Sequence, residues 1–148
     1  MNVVDLAGPY FIDTNVLVYS FDDTAPEKQQ QARSIIVHAL HSQRGMISTQ
    51  VIQEFLNVAL RRFPRPMSVP DARTYLHQTL MPLCQHFPNP GFYDYALYLQ
   101  RETGFSWFDA LIIAAASASG CSTLLSENMQ SGRVVRGVTI VNPFAVSW

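Results

Sequence analysis

The chain is 148 residues long, 48% hydrophobic and only 14% charged, with ten Lys+Arg against eleven Asp+Glu. That length suits a single domain, expected over 1–148, and the composition excludes a disordered chain, which needs few apolar residues and a high net charge. A formal net charge of −1 also excludes a protein that coats nucleic acid by bulk charge, leaving only a local basic patch as a route to such a partner.

Tyr10-Phe11-Ile12 is a short apolar run consistent with a buried strand. From Pro26 to about Ser42, Gln29, Gln30, Gln31 and Arg33 lie on one side and Ile35, Ile36, Ala39 and Leu40 on the other. That pattern is an amphipathic helix with proline in its first turn. Gly45 is expected to stop it, and Met46-Ile47-Ser48 to form a second strand. Val51, Ile52, Phe55, Val58 and Ala59 then follow helical spacing from Thr49 to Arg62. Phe63-Pro64-Arg65-Pro66 ends that helix, since proline cannot continue the hydrogen-bond ladder.

Ser68-Val69-Pro70-Asp71 opens a further helix to about Leu80. Pro88-Asn89-Pro90-Gly91 reads as a loop before a helix near Tyr93 to Glu102. Ser106-Trp107-Phe108-Asp109 starts an alanine-rich helix to about Ser119, apolar all round and therefore central, and Gly120 ends it. Thr123-Leu124-Leu125 and Val138-Thr139-Ile140-Val141 are further short strands. Strands alternating with helices indicate an α/β domain with a parallel sheet, whose sites form beyond the carboxyl ends of the strands.

Cys84 and Cys121 supply neither a disulfide framework nor a four-thiolate zinc site, and read as reduced residues of a cytosolic protein. His38 and His41, spaced i, i+3, lack third and fourth ligands and read as exposed helix histidines. The start Met1-Asn2-Val3-Val4-Asp5 shows no signal-peptide pattern, and the nearly uncharged run Ala110 to Leu125 falls short of the ~20 apolar residues that span a bilayer. The expectation is a cytoplasmic protein with no membrane contact.

Three acids lie where local polarity does not explain them. Asp13 follows an apolar strand, Glu54 sits in a largely apolar helix, and Asp109 lies between Phe108 and Ala110-Leu111-Ile112-Ile113. A carboxylate in such surroundings is costly unless paired, hydrogen-bonded or bound to a cation. Lys28 is the only lysine, so a divalent cation is a natural partner for converging carboxylates. Plainer roles compete: Asp13 as cap of a helix from Thr14, Asp109 in a capping box with Ser106, Glu54 as a first-turn acid. Gln50, Glu54, Asn57 and Arg61 form a polar stripe leading to Arg61-Arg62 and Arg65, either a solvated helix face or a phosphate track.

Phe11-Ile12-Asp13-Thr14-Asn15-Val16-Leu17-Val18-Tyr19, Gln53-Glu54-Phe55, Ser106-Trp107-Phe108-Asp109-Ala110-Leu111-Ile112-Ile113-Ala114-Ala115 and Leu124-Leu125-Ser126-Glu127-Asn128-Met129-Gln130 resemble, in order, the motifs of PIN domains. More closely, the chain resembles the VapC-type toxin ribonucleases of bacterial toxin–antitoxin pairs, from Tyr10 to Phe144. The resemblance implies a three-layer α/β/α fold with a central parallel sheet and an acidic pocket for Mg²⁺ or Mn²⁺. It implies Asp13, Glu54 and Asp109 as the catalytic, metal-holding acids, with Thr14, Asn15 and Ser106 in support. At the fourth acidic position the family usually has Asp where Asn128 stands here, beside Glu127; either Glu127 takes the role or Asn128 offers a neutral oxygen.

The activity so implied is metal-dependent endoribonuclease hydrolysis of RNA, tRNA or rRNA among the candidate targets, leaving 3′-hydroxyl and 5′-phosphate ends. It also implies a cognate antitoxin and a homodimer. Phe63-Pro64-Arg65-Pro66-Met67 is expected to expose apolar and arginine residues suited to an interface, unless Phe63 and Met67 cover the core edge. A receiver-type phosphoacceptor domain would want a late-strand lysine, and none follows Lys28. Neither a Gly-Lys-Ser/Thr loop nor a GxGxxG occurs. The rival reading is a PIN-like module with a weakened site, binding RNA or protein without cleaving.

Overall fold

The computed structural model describes residues 3–145, so the expected domain limits at 1 and 148, and the first two residues of the stretch lacking a targeting pattern, lie outside it. A six-stranded sheet has the order β3-β2-β1-β4-β6-β5. The strands are β1 (Tyr10–Ile12), β2 (Gly45–Ser48), β3 (Cys84–His86), β4 (Thr123–Leu125), β5 (Val134–Val135) and β6 (Val138–Val141). All neighbours pair in parallel except β5 and β6, a short antiparallel edge. Tyr10, Phe11 and Ile12 are fully buried, as central parallel strands covered on both faces must be.

The helices divide into two layers around this sheet. One holds α1 (Thr14–Tyr19), α2 (Pro26–Ser42), α3 (Thr49–Arg61) and α4 (Val69–Tyr75), which runs through a π turn at Leu76–Leu80 into α5 (Met81–Leu83). The other holds α6 (Pro90–Thr103) packed along α7 (Trp107–Ala118). This is the expected three-layer α/β/α architecture. Every residue of α7 from Ala110 to Ala116 is buried, which explains why that helix is apolar on all faces. Among the described residues no helix is long and apolar enough to cross a membrane.

Several local expectations are corrected. Gly45 does not end α2; Gln43 does, in the left-handed region at φ 60°, and Gly45 belongs to β2. Glycine is required there because a Cβ would collide with Ala39 and the Tyr10 ring. The supposed loop at Pro88 to Gly91 already contains the start of α6: Asn89 caps it, accepting from the Phe92 N–H at 2.8 Å, and Pro90 is its first residue. β3 and β5 escape the apolar pattern because they are short edge strands with exposed residues.

The π turn widens the helix just before Pro82, whose ring would crowd the carbonyl four residues back. Phe63 and Met67 pack against the core, Phe63 within an aromatic cluster of Phe21, Phe55 and Tyr75, so that loop presents Arg65 but not the expected apolar surface. His38 is likewise not simply solvated: its Nδ1 lies 2.6 Å from the Tyr10 hydroxyl, while His41 is exposed.

Candidate active site

The chain leaves β1, builds outward through β2 and β3, and returns to place β4 on the other side of β1. That reversal opens a crevice beyond the carboxyl ends of β1 and β4, where open α/β sheets bind ligands. Asp13 follows β1 and Ser126 follows β4, so both stand in the crevice. The backbone secures them there: Asp13 N–H donates to Leu125 C=O and Ser126 N–H to Val141 C=O, each at 3.0 Å.

Asp13 is 8% exposed and serves two purposes at once. Its Oδ1 accepts from the Thr14 N–H at 2.8 Å, capping α1 as the plainer reading expected. Its Oδ2 accepts from the Ser126 hydroxyl at 2.7 Å and from the Asn15 amide at 3.3 Å. Burial pushes the Asp13 pKa up to about 6, although Ser126 and the Thr14 N–H favour the anion; the negative charges of Glu54 and Asp109 push it further. Those two acids, from α3 and α7, therefore act on Asp13 across space.

Glu54 is half-buried, and its Oε1 accepts from the Thr14 hydroxyl at 2.9 Å, which joins α3 to the first turn of α1. Asp109 is half-buried in the first turn of α7. Ser106 is the cap of that helix, its hydroxyl accepting from the Asp109 N–H at 3.3 Å, so the capping contact and the acidic cluster coexist. Among the described residues no Lys or Arg is bonded to Asp13, Glu54 or Asp109.

The fourth position divides. Glu127 is drawn off by a cation: Lys28 Nζ lies 2.9 Å from its Oε2 and the Tyr19 hydroxyl donates to its Oε1 at 2.7 Å. Burial raises the Glu127 pKa, but Tyr19 and Lys28 outweigh it and hold the carboxyl below its usual value. Lys28 also lies over the Tyr19 ring, 4.8 Å from its centroid. Asn15 Oδ1 accepts from the Glu127 N–H at 3.2 Å and so fixes this loop to α1. Asn128 is exposed. Arg61, Arg62 and Arg65 are exposed at and just past the C-terminal end of α3, the end away from its first turn, and make no ion pair among the described residues.

Ser126 stands in the fourth sequence motif, but its role as the hydroxyl that holds Asp13 was not read from the sequence. A serine directly after an apolar strand, fully buried here, was the signal available. Among the described residues no three His, Cys, Asp or Glu side chains close on one point as a ready metal cage. The donors nonetheless suit a hydrated hard cation, which Mg²⁺ remains when held by one or two carboxylates plus waters. The set is all oxygen, the charges of Glu54 and Asp109 both bear on Asp13, and among the described residues no Lys or Arg is bonded to any of the three. A family model described as PIN domain matches residues 10–134. No curated protein matches the chain significantly.

Proposed function

The chain belongs to the PIN-domain family, generally nuclease-like and served by divalent metal ions, and from that premise we propose that it is a metal-dependent endoribonuclease, the toxin of a type II toxin–antitoxin pair. One observation carries the reading: Asp13, buried at the switch point of the sheet and raised to a pKa of about 6, feels the charge of two further acids, with no Lys or Arg bonded to it among the described residues. In structural positions acids are seldom left in that condition, whereas functional sites often hold them so.

Asp13 and Asp109 would hold Mg²⁺ or Mn²⁺ directly, and Glu54 would act through a water or position the attacking water. A bound divalent ion would lower the pKa of a water and polarise the phosphoryl oxygen for in-line attack. Within the protein, Ser126, Thr14 and Asn15 orient Asp13, and the Thr14 hydroxyl orients Glu54. Ser106 sets the turn that presents Asp109. Arg61, Arg62 and Arg65 would follow the RNA backbone away from the acids. RNA, a cognate antitoxin and a second copy of the chain are the partners of this reading; Leu97 and Tyr98, exposed on α6, support the last.

The test is incubation of bulk tRNA and rRNA with the protein in Mn²⁺, Mg²⁺ or EDTA, beside Asp13→Asn. Discrete fragments that vanish on chelation and in the variant are expected. Fragments that persist in EDTA or in Asp13→Asn would overturn the metal-dependent reading. The engagement of Glu127 by Lys28 and Tyr19 favours a second reading, a binding module with one carboxylate fewer. Absence of both cleavage and Mn²⁺ binding in a folded protein would select it.

A further inference from the structure

A cavity of about 270 Å³ opens beside the acidic cluster, between the first turns of α3, α6 and α7. Gln50 and Gln53 of α3 line it, the latter adjacent to Glu54, as do Trp107 and Phe108 of α7, the latter adjacent to Asp109. Gln50 Nε2 donates to the Phe108 carbonyl at 3.2 Å, tying these two walls together. The cavity thus shares α3 and α7 with the site, next in sequence to two of its acids, but differs from it in chemistry. No Asp, Glu, Lys or Arg lines it, and burial lowers the pKa of the His86 imidazole that does, favouring the neutral ring.

Two features call for a ligand. Ser48, at the cavity wall, is 2% exposed, and its hydroxyl has no hydrogen-bond partner. It occupies the cap position of α3 yet makes no cap bond, although a serine there ordinarily accepts from the helix N–H groups and buried hydroxyls are ordinarily bonded. Around the same cavity the Phe108 ring is 64% exposed and Tyr93 45% exposed. Exposed aromatic faces around an uncharged recess that contains an unanswered hydroxyl match a flat, neutral, heteroaromatic ring with a polar edge. A phosphate would require a cation that the lining lacks. The volume, just below the roughly 300–1,000 Å³ of small-molecule pockets, suits one ring system and not a stacked strand.

We propose that this cavity is a nucleobase subsite, in which one unpaired base of the RNA stacks on Phe108 and Trp107 and offers its edge to the Gln53 amide and, once the Ser48 side chain rotates toward the cavity, to its buried hydroxyl. The sugar–phosphate then leads toward Glu54 and Asp109. Proteins read single-stranded RNA in this manner, by stacking unpaired bases on aromatic side chains and bonding their edges. The proposal rests on the ribonuclease reading above and selects single-stranded or looped RNA over duplex.

The experiment is ¹H–¹⁵N NMR titration of the metal-free protein in EDTA with adenosine, guanosine, cytidine and uridine in turn, beside inorganic phosphate and N-acetyltryptophanamide. At least one nucleoside is expected to shift the Trp107 indole and the Gln53 amide, while phosphate leaves both in place. Phe108→Ala, a change at an exposed ring, is expected to weaken that binding roughly five- to hundredfold, the range for loss of one base–aromatic stack. Ser48→Ala is expected to narrow the preference among the four nucleosides while retaining the ¹H–¹⁵N spectrum of the folded chain.

Silence of the Trp107 indole to all four nucleosides would overturn the proposal. So would a shift that follows phosphate, or tighter binding of N-acetyltryptophanamide, which would make the cavity a socket for a protein side chain. Because the titration needs neither metal nor cleavage, failure here leaves the ribonuclease reading standing. Nucleoside binding with no metal-dependent cleavage would retain the subsite and remove the catalytic reading.

Discussion

Replacing Asp13 by Asn is expected to make the metal-free protein more stable while abolishing its activity. The folded carboxyl has a pKa of about 6 against an ordinary 3.8, so it binds its proton more tightly when folded than when unfolded. Stability from this group is therefore complete below about pH 4, declines as pH rises, and is lost above about pH 6. At roughly 1.4 kcal/mol per pKa unit, the ionised carboxylate costs the fold about 3 kcal/mol at neutral pH. Asparagine carries no charge at any pH and still offers an oxygen to the Thr14 N–H, asparagine being as good a helix cap as aspartate.

Urea unfolding in EDTA should thus favour Asp13→Asn by up to about 3 kcal/mol at pH about 8, with little difference at pH about 4. The corresponding rise in Tm is about 6–12 °C for a domain of this size. Adding Mn²⁺ should narrow the gap, since only the wild type gains a ligand. A variant less stable than wild type at the higher pH, or equally more stable at both, would refute the account of Asp13 as a carboxylate held at energetic cost.

Ser126→Ala removes a buried hydrogen bond to a charged group and is expected to cost about 1.5–3 kcal/mol above pH 6, less near pH 4 where Asp13 is protonated. Unfolding curves at the two pH values check it. Asn128→Asp adds a carboxylate at the fourth position and is expected to tighten Mn²⁺ binding roughly tenfold, about 1.4 kcal/mol, by calorimetry; unchanged affinity would place residue 128 off the metal site. Neutralising Arg61, Arg62 and Arg65 to Gln is expected to weaken binding of all RNA sequences alike and to lower the salt slope by about one for each phosphate no longer neutralised. A slope identical to wild type would mean that these side chains are merely solvated.

Most of the fold was legible because its signals are local. β1, β4 and β6 are apolar runs, α2 and α3 carry helical periodicity, and α7 announces its burial by lacking a polar face. Caps were legible for the same reason: the bonds of Asp13, Ser68 and Ser106 to the first turns of α1, α4 and α7 span one to three residues. The two edge strands were not, because pairing at a sheet edge needs only backbone, and the side chains of Cys84-Gln85-His86 record nothing of it.

The candidate site divides in the same way. That Asp13, Glu54 and Asp109 are out of place in their apolar segments is a property of the sequence by itself, and so is the scarcity of lysine that leaves them without cations. What only the tertiary structure decided is which groups meet across the crevice. Ser126 reaches Asp13 from 113 residues away, and Lys28 takes Glu127 from 99 residues away. Both pairings exist because β4 returns to lie beside β1, a choice made by the whole sheet and by no segment of it. The unanswered Ser48 hydroxyl is likewise invisible in sequence, since a serine before a helix looks like an ordinary cap until the packing shows that it bonds to nothing.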